Sequence, residues 1–474
     1  MNNTKEKELP GSKEGLSFSS LPLREELFNN LVSLDYKKMT PIQAQSLPLM
    51  LNNADVIAQA QTGSGKTVAF GLTLLNHLKI DHLFTQALIL CPTRELAEQV
   101  SQVLRRLARL LSNVKILNLS GGIPMKPQLD SLKYGAHIIV GTPGRIQKHL
   151  EKKTLSLSNL HSLVLDEADK MLDMGFLDSL KQVLYYCPSQ RQTLLFSATF
   201  PPQIKQLASE FMRKPLEVKI DEQSSSLDIE QKFFEVPNQS DKYHVLKKLL
   251  SHYQPTSALI FCNTKEKTKE LATLLSQDGF KASFLNGDLE QVARDQTMIQ
   301  FGNQSCSILV ATDVAARGLD IKELPAVINY ELAFSSEVHI HRIGRTGRAG
   351  CKGIALSLTT PKDAERLCLI EEAMAKPLNW GVITALPASM PVVALHPPMV
   401  TLRLMAGRKD KIRAGDILGA LTKDAGLMVD VIGKIDISAS HSFVAIASSH
   451  IGKAYEHFQK GKLKGRKVGV QRLK

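Results

Sequence analysis

Ala60-Gln61-Thr62-Gly63-Ser64-Gly65-Lys66-Thr67 is the stretch whose reading decides the fold. It follows a short apolar segment, Asp55-Val56-Ile57-Ala58, and precedes a helix-like run from Val68 to Leu78. A strand feeding a small-residue loop that opens a helix aims several backbone N–H groups at one point. The helix N-terminus adds partial positive charge there, so the loop forms a cradle for phosphates. Lys66 is placed to reach β- and γ-phosphates, and the Thr67 hydroxyl to ligate Mg²⁺. A plain strand-to-helix turn needs a glycine or two but no Gly-Lys-Thr. Ala60 stands where the general pattern has Gly.

Outward from this loop, a repeat emerges. Ala87-Leu88-Ile89-Leu90-Cys91-Pro92-Thr93 is echoed 171 residues later by Ala258-Leu259-Ile260-Phe261-Cys262-Asn263-Thr264. Ile138-Ile139-Val140-Gly141-Thr142 is echoed 170 residues later by Ile308-Leu309-Val310-Ala311-Thr312. Continuous apolar runs ending in small and polar residues are the mark of parallel strands buried on both faces. Helical patterns between them, Glu95 to Leu111 and Lys265 to Leu275, suit crossover connections. The expectation is α/β: two copies of a parallel-sheet domain, with ligands gathering at the carboxyl ends of the strands.

Only the first copy has the phosphate loop. Its second nucleotide-handling element is Leu163-Val164-Leu165-Asp166-Glu167-Ala168-Asp169. Asp166 at the strand's end is placed to hold Mg²⁺ through water, and Glu167 to polarise an attacking water, although a solvated acidic turn is the bland alternative. The Ser197 and Thr199 hydroxyls could bridge Asp169 to another loop; a simple turn explains them equally well. Thr40-Pro41-Ile42-Gln43 reads locally as a helix N-cap with Pro at the first helical position, while a Gln amide also suits the edge of adenine. In the second copy, Arg342, Arg345 and Arg348 recur at three-residue spacing, a run that a solvated basic helix start would also explain. A domain without its own phosphate loop that presents Arg345 and Arg348 can supply arginine fingers to the γ-phosphate.

Composition bounds the rest. A chain of 474 residues exceeds one core, and three domains are expected. No apolar run approaches membrane-spanning length, the polar N-terminus is unlike a secretory signal, and no membrane partner is expected. Six scattered cysteines (91, 187, 262, 306, 351, 368) argue for free thiols in a reducing, cytoplasmic setting. Net charge is +13, with 15 Lys and Arg against 6 Asp and Glu from Val400 onward. A basic C-terminal module on a nearly neutral body points to an anionic polymer as partner.

Together these residues resemble the DEAD-box ATP-dependent RNA helicases over roughly residues 16 to 375. The likeness rests on Ala60–Thr67, Pro92–Ala97, Gly121-Gly122, Thr142–Arg145, Asp166–Asp169 and Ser197–Thr199 in the first copy. In the second it rests on Gln291-x-x-Arg294, Arg317-Gly318-x-Asp320 and His341–Arg348. That family also accounts for Ala60. The resemblance implies two RecA-like domains flanking ATP, with Lys66, Asp166, Glu167, Arg345 and Arg348 catalytic. Phe18, Gln43, Gln61, Thr62, Gly63, Ser64, Gly65, Lys66, Thr67 and Asp320 would bind the nucleotide, Thr67 and Asp166 would hold Mg²⁺, and Asp169, Ser197, Thr199 and His341 would couple the motifs. Arg94, Gly122, Thr142, Arg145, Gln291, Arg294 and Thr312 would grip the RNA backbone. Asp35 and Met39 depart from the family pattern before Gln43, and Asn286 replaces a common His. The implied mechanism is a clamp that ATP closes on one RNA strand, locally melting a short duplex.

The expected divisions are a lead at 1–15, domains at 16–219 and 229–375 joined by a linker at 220–228, a connector at 376–399, and a third domain at 400–474. In the last, strand-like Thr401–Ala406, Val431–Ile437, Ser442–Ala447 and Lys467–Val470 alternate with helical Ala414–Thr422 and Gly452–Phe458. That order is the α+β topology of an RNA-recognition motif. Its aromatic signature is poor, Phe443 being as fit for core as for base stacking. Arg403, Arg408, Lys409, Lys411, Arg413, Lys462 and Lys464 are better candidates for RNA contact. A tail of this kind after this core resembles the bacterial DbpA branch of the family. That implies binding to a 23S ribosomal RNA hairpin during large-subunit assembly, with no obligate protein partner evident. The competing reading is an ATP-gated RNA-binding assembly factor without productive unwinding.

Overall fold

The computed structural model describes residues 16–60, 63–220, 229–316, 324–347, 352–386 and 395–473. The lead at 1–15, Gln61, Thr62, Asp320, Arg348, nearly all of the expected linker and part of the connector lie outside them. The chain divides into two compact units, one carrying the first sheet and the other the second and third.

In the first unit the strands are β1 (Val56–Gln59), β2 (Ala87–Leu90), β3 (Ile116–Leu119), β4 (Ile138–Gly141), β5 (Ser162–Asp166), β6 (Gln192–Ser197) and β7 (Leu216–Lys219). They form one parallel sheet in the order β3-β4-β2-β5-β6-β1-β7. Ile89, Val140, Val164 and Leu194 enter one apolar cluster, while Leu88, Leu90, Ile139, Leu163, Leu165 and Leu195 enter another. Successive side chains point to opposite faces of a strand, so a sheet covered by helices on both sides needs unbroken apolar runs. That requirement is what the sequence pattern expresses.

The second sheet comprises β8 (Ile229–Glu235), β9 (Ala258–Phe261), β10 (Ala282–Leu285), β11 (Ile308–Ala311), β12 (Ala326–Asn329) and β13 (Gly353–Thr359). It is parallel, in the order β10-β11-β9-β12-β13-β8. The echoed segments occupy equivalent places: β4 pairs with β2, and β11 with β9. Thr93 and Thr264, the last residues of the echo, each N-cap the next helix by accepting from the N–H three residues on, at 3.2 Å in both copies.

The third domain has β14 (Met399–Leu404), β15 (Ile432–Ile437), β16 (Ser442–Ala447) and β17 (Val470–Arg472) in an antiparallel sheet ordered β15-β16-β14-β17. Helices Ala414–Gly419 and Ile451–Lys460 complete the expected order. Leu402, Leu404, Val444 and Ile446 pack against Ile417, Leu421, Ala454 and Phe458. The last strand starts three residues later than the sequence suggests. Lys464 and Gly465, both at positive φ, make a turn closed by Leu463 and Arg466, and Met405 N–H reaches Gly469 O at 2.8 Å. Pairing with β14 therefore begins only at Val470.

Candidate nucleotide site and RNA interface

β1 delivers the chain to Ala60, whose N–H donates to Ser197 O on the neighbouring strand at 3.1 Å. Gly63 and Gly65 then turn at φ of +91° and +96°, and the helix Lys66–His77 begins. A Cβ on Gly65 would lie 2.5 Å from Gln43 Nε2. Gln43 itself is buried; its Oε1 accepts from Thr40 N–H at 2.9 Å and its Nε2 donates to Gly65 O at 3.0 Å. The capping reading of Thr-Pro-x-Gln is thus realised, and the same side chain also braces the phosphate loop. Lys66 is buried with Nζ on Ala60 O at 2.9 Å, and Thr67 is half-buried beside it. Phe18 sits in the core edge-on to Tyr36 and is 2% exposed, so little of its ring faces outward for a base.

Asp166 ends the central strand β5, and Glu167 follows in the left-handed region at φ 55°. Asp166 Oδ1 is buried without a hydrogen-bond partner. An oxygen left open at a strand end beside a phosphate loop fits a hard cation that completes its shell with water and phosphate. Burial pushes the Asp166 carboxyl above its ordinary range; Lys66 opposes that and Glu167 adds to it. Among the described residues no group of three or more His, Cys, Asp or Glu is arranged to hold a metal by protein ligands alone. Glu167 pairs with Lys170 at 2.8 Å, both buried. Sequence spacing missed Lys170, although an i,i+3 Glu–Lys pair is a signal it could have used.

Asp169 is the knot between this turn and the end of β6. Its Oδ2 accepts from Ala198 N at 3.1 Å, Thr199 N at 2.9 Å and Thr199 Oγ1 at 3.1 Å. Ser197 Oγ accepts from Asp169 N at 3.2 Å and donates to Thr199 O at 2.7 Å. The bridge raised from the sequence is present within the first domain, and the simple turn is not the whole explanation.

On the same domain Arg94 opens the helix Arg94–Leu107, Gly122 turns at φ +73°, and Thr142 Oγ1 accepts from Gly121 N at 3.4 Å. Arg145 donates to Gln128 Oε1 at 2.7 Å and Ile123 O at 2.9 Å. These four positions follow β2, β3 and β4, at the carboxyl edge of the sheet.

In the second domain Gln291 and Arg294 lie one helical turn apart on Gln291–Gly302. Gln291 Nε2 donates to Asp295, and Arg294 Nη2 to Ala315 O at 2.9 Å. Thr312 follows β11 and is buried, accepting from Ala315 N. His341 is on the helix Ser336–Ile343, and Arg345 is buried just past its end. Arg342 lies 1% exposed, pairing with Asp313 through Nε and Nη2 at 2.6 and 2.7 Å and reaching Glu331 O and Asn263 Oδ1. Read as one basic run, the sequence concealed that this arginine is interior. Asn286 also acquires a role. Its Nδ2 donates to Lys265 O and Thr268 Oγ1 and its Oδ1 accepts from Asp288 N, each at 3.1 Å, tying the end of β10 to the preceding helix, Lys265–Gln277.

The third domain turns one sheet face away from its helices. Thr401 and Ala445 pair across it, as do Arg403 and Phe443, yet Thr401, Ala445 and Phe443 are all buried. The 303–305 turn of the second domain is at that face. Thr401 Oγ1 meets Asn303 Nδ2 at 3.3 Å and Ser305 Oγ at 2.7 Å, and Met399 N–H donates to Gln304 O. Phe443 is therefore no open stacking platform. Arg403 is half-buried and donates to His441 Nε2 at 2.6 Å. Arg408, Lys409, Lys411, Arg413, Lys462 and Lys464 are exposed, and Lys464 Nζ joins their two loops through Lys411 O at 2.9 Å.

Comparison with known proteins converges on one family. Residues 40–207 match the DEAD/DEAH box helicase model, 241–350 the helicase conserved C-terminal domain, and 401–472 the DbpA RNA binding domain. The chain is 49% identical over 445 residues to the ATP-dependent RNA helicase DbpA of Escherichia coli K12, covering 94% of this chain and 96% of that one. It is 41% identical over 364 residues to the DEAD-box ATP-dependent RNA helicase CshA of Geobacillus kaustophilus, covering 77% and 78%. Among solved structures, S. cerevisiae Dbp5 bound to RNA and ADP BeF3 matches with a TM-score of 0.71 at 32% identity, covering 77% of this chain and 96% of Dbp5. A phosphate loop, an acidic strand end and a basic RNA-binding tail thus have one common explanation: the chain belongs to the DEAD-box ATP-dependent RNA helicases, which are ATP hydrolases that act on RNA.

Proposed function

We propose that this helicase locally unwinds short duplexes in 23S ribosomal RNA during large-subunit assembly, directed there by residues 400–474. The observation that carries the target is the match of 401–472 to a DbpA RNA binding domain, joined to two exposed basic loops tied by Lys464. Residues 16–219 bind ATP, residues 229–375 form the second motor domain, and 400–474 anchor a ribosomal RNA hairpin. Gly63, Ser64 and Gly65, with Gln61 and Thr62, cradle the phosphates; Lys66 neutralises them. Gln43 and Asp320 select the nucleoside, with Phe18 shaping that side of the site. Thr67 and, through water, Asp166 would hold Mg²⁺, which would supply charge neutralisation to the phosphates. Glu167 orients the attacking water, and Arg345 and Arg348 stabilise charge on the γ-phosphate. Asp169, Ser197, Thr199 and His341 link the nucleotide motifs to the RNA-gripping ones: Arg94, Gly122, Thr142, Arg145, Gln291, Arg294 and Thr312.

Two comparisons test this. ATPase rates are measured with a 23S-derived hairpin and with unrelated hairpins, for the full chain and for a chain ending at residue 399. The full chain should prefer the 23S-derived RNA at least tenfold and the truncated chain should show no preference; preference surviving truncation refutes the targeting role. Strand displacement by wild type and Glu167→Gln then separates unwinding by hydrolysis from a merely ATP-gated assembly factor. Equal support of subunit assembly by both proteins would favour the latter.

A further inference from the structure

The helix Lys126–Leu132 buries one residue fully, and that residue is polar: Gln128, 4% exposed, with Leu132 packing only partly buried against the core. A helix so short and so poorly anchored by apolar burial gains little from the hydrophobic effect. What it contributes is one amide, used three times. Nε2 donates to Ser120 O at 3.0 Å, while Oε1 accepts from Arg145 Nη1 at 2.7 Å and from His149 Nε2 at 3.0 Å. Only one orientation of the amide satisfies a carbonyl on one side and two donors on the other. His149 is fully buried, and its Nδ1 lies 2.9 Å from Thr154 Oγ1. Because Gln128 Oε1 can only accept, His149 carries its proton on Nε2. Burial, then Arg145, holds the ring toward its neutral form, and the Thr154 hydroxyl beside Nδ1 donates to His149 O at 3.0 Å, closing the far side of the ring.

Arg145 also donates to Ile123 O, and Gly121 N–H to Thr142 Oγ1. Ser120, Ile123, Thr142 and Arg145 flank or form the RNA-gripping positions assigned above, and the Gln128 amide joins two of them directly, Ser120 through its carbonyl and Arg145 through its guanidinium. We propose that Gln128 is a positioning residue that sets the Arg145 guanidinium and the 120–123 turn at the spacing of RNA phosphates, and that His149 locks the amide in that orientation. A guanidinium left to its own rotamers loses side-chain freedom on each encounter with RNA; one already held by two bonds does not. The inference rests on the reading of Arg145 as an RNA contact.

The test uses the full chain, a fluorescein-labelled oligouridylate with a non-hydrolysable ATP analogue, and a fluorescent ATP analogue alone. Gln128→Leu, similar in volume, should weaken oligouridylate binding about tenfold, the size of one lost charge-assisted hydrogen bond, and change ATP-analogue binding less than about twofold. Gln128→Glu keeps the acceptor for Arg145 and His149 and should recover a large part of the loss. In an Arg145→Ala background Gln128→Leu should add less than about twofold, because the partner it acts through is gone. Should Gln128→Leu fail to fold, His149→Gln and His149→Leu replace it: the first keeps a donor near Oε1 and should bind RNA normally, the second should not. Intact RNA affinity in Gln128→Leu, with affinity lost in Arg145→Ala, overturns the positioning role and leaves Arg145 as an RNA contact. Intact affinity in Arg145→Ala overturns the RNA-contact reading itself. Equal losses for RNA and ATP analogue, multiplying in the double variant, would reduce Gln128 to a structural residue and overturn the proposal.

Discussion

Gly65 shows how one position serves two masters. Its φ of +96° is open to glycine and costly to any L side chain, and a Cβ there would meet the Gln43 amide at 2.5 Å. Gly65→Ala should cost about 1–3 kcal/mol of stability and weaken ATP-analogue binding at least tenfold, read by urea unfolding and fluorescence titration. His339 makes a second prediction. It is 1% exposed, stacked on Phe233, with neither ring nitrogen hydrogen-bonded, and burial, then the Arg342 charge, lowers its pKa from 6.5 to about 4. The unfolded chain takes up this proton first as pH falls. The stabilising contribution is complete above pH 6.5 and is lost between there and about 4. Relative to wild type, His339→Leu should therefore gain up to about 3 kcal/mol on going from pH 7.5 to 4.5 in parallel denaturation curves. Motif positions such as Lys66, Asp166 and Asp169 were legible in the sequence because their chemistry demands particular residue types in a particular order. Gln128, His149 and Arg342 were not, since a buried hydrogen-bond hub has no spacing of its own; it is defined by what the other strands bring to it.

At the scale of elements, the two-face burial of β2, β4, β9 and β11 made the sheets readable, and the shared offset made their kinship readable. The same echo carried a capping residue in each copy. Thr264 Oγ1 accepts from Lys267 N–H at the start of Lys265–Gln277, so Thr264→Ala leaves one helix-end donor to water and should cost about 1 kcal/mol. Thr264→Ser should restore most of that loss in the same urea titration. Element ends were harder to read. β17 begins at Val470 because residues 463–466 are consumed by a turn whose closure depends on positive φ at Lys464, a non-glycine residue that no pattern marks. Phe18 was legible as an aromatic of the nucleotide site only through resemblance; its burial against Tyr36 comes from packing that composition does not encode.

For the whole molecule, the informative contact is the one that covers the open face of the third domain. In the second unit Thr401 is fully buried, bonded to Asn303 and Ser305, and flanked by buried Ala445 on the paired strand. None of these belongs to the third domain's own core of Leu402, Leu404, Val444 and Ile446 with the helices. A charge introduced at Thr401 therefore attacks the joint and spares the fold on either side of it. In Thr401→Arg the guanidinium cannot stay buried without a partner, at a cost of several kcal/mol, and the domains should part instead. Methyl relaxation of Ile417 and Ile446 should then report tumbling faster than that of Ile260 and Ile328, whereas in wild type the four should agree. Because the basic side chains of the loops at 408–413 and 462–467 are exposed whereas Thr401 is fully buried, affinity for a 23S-derived hairpin should change less than about twofold. The ATPase rate at saturating hairpin should nevertheless fall several-fold, because an RNA held on a loose tether reaches the motor domains at a lower effective concentration than one held on a fixed joint. A fall in hairpin affinity with no change in saturated rate would place the RNA on the Thr401 face after all.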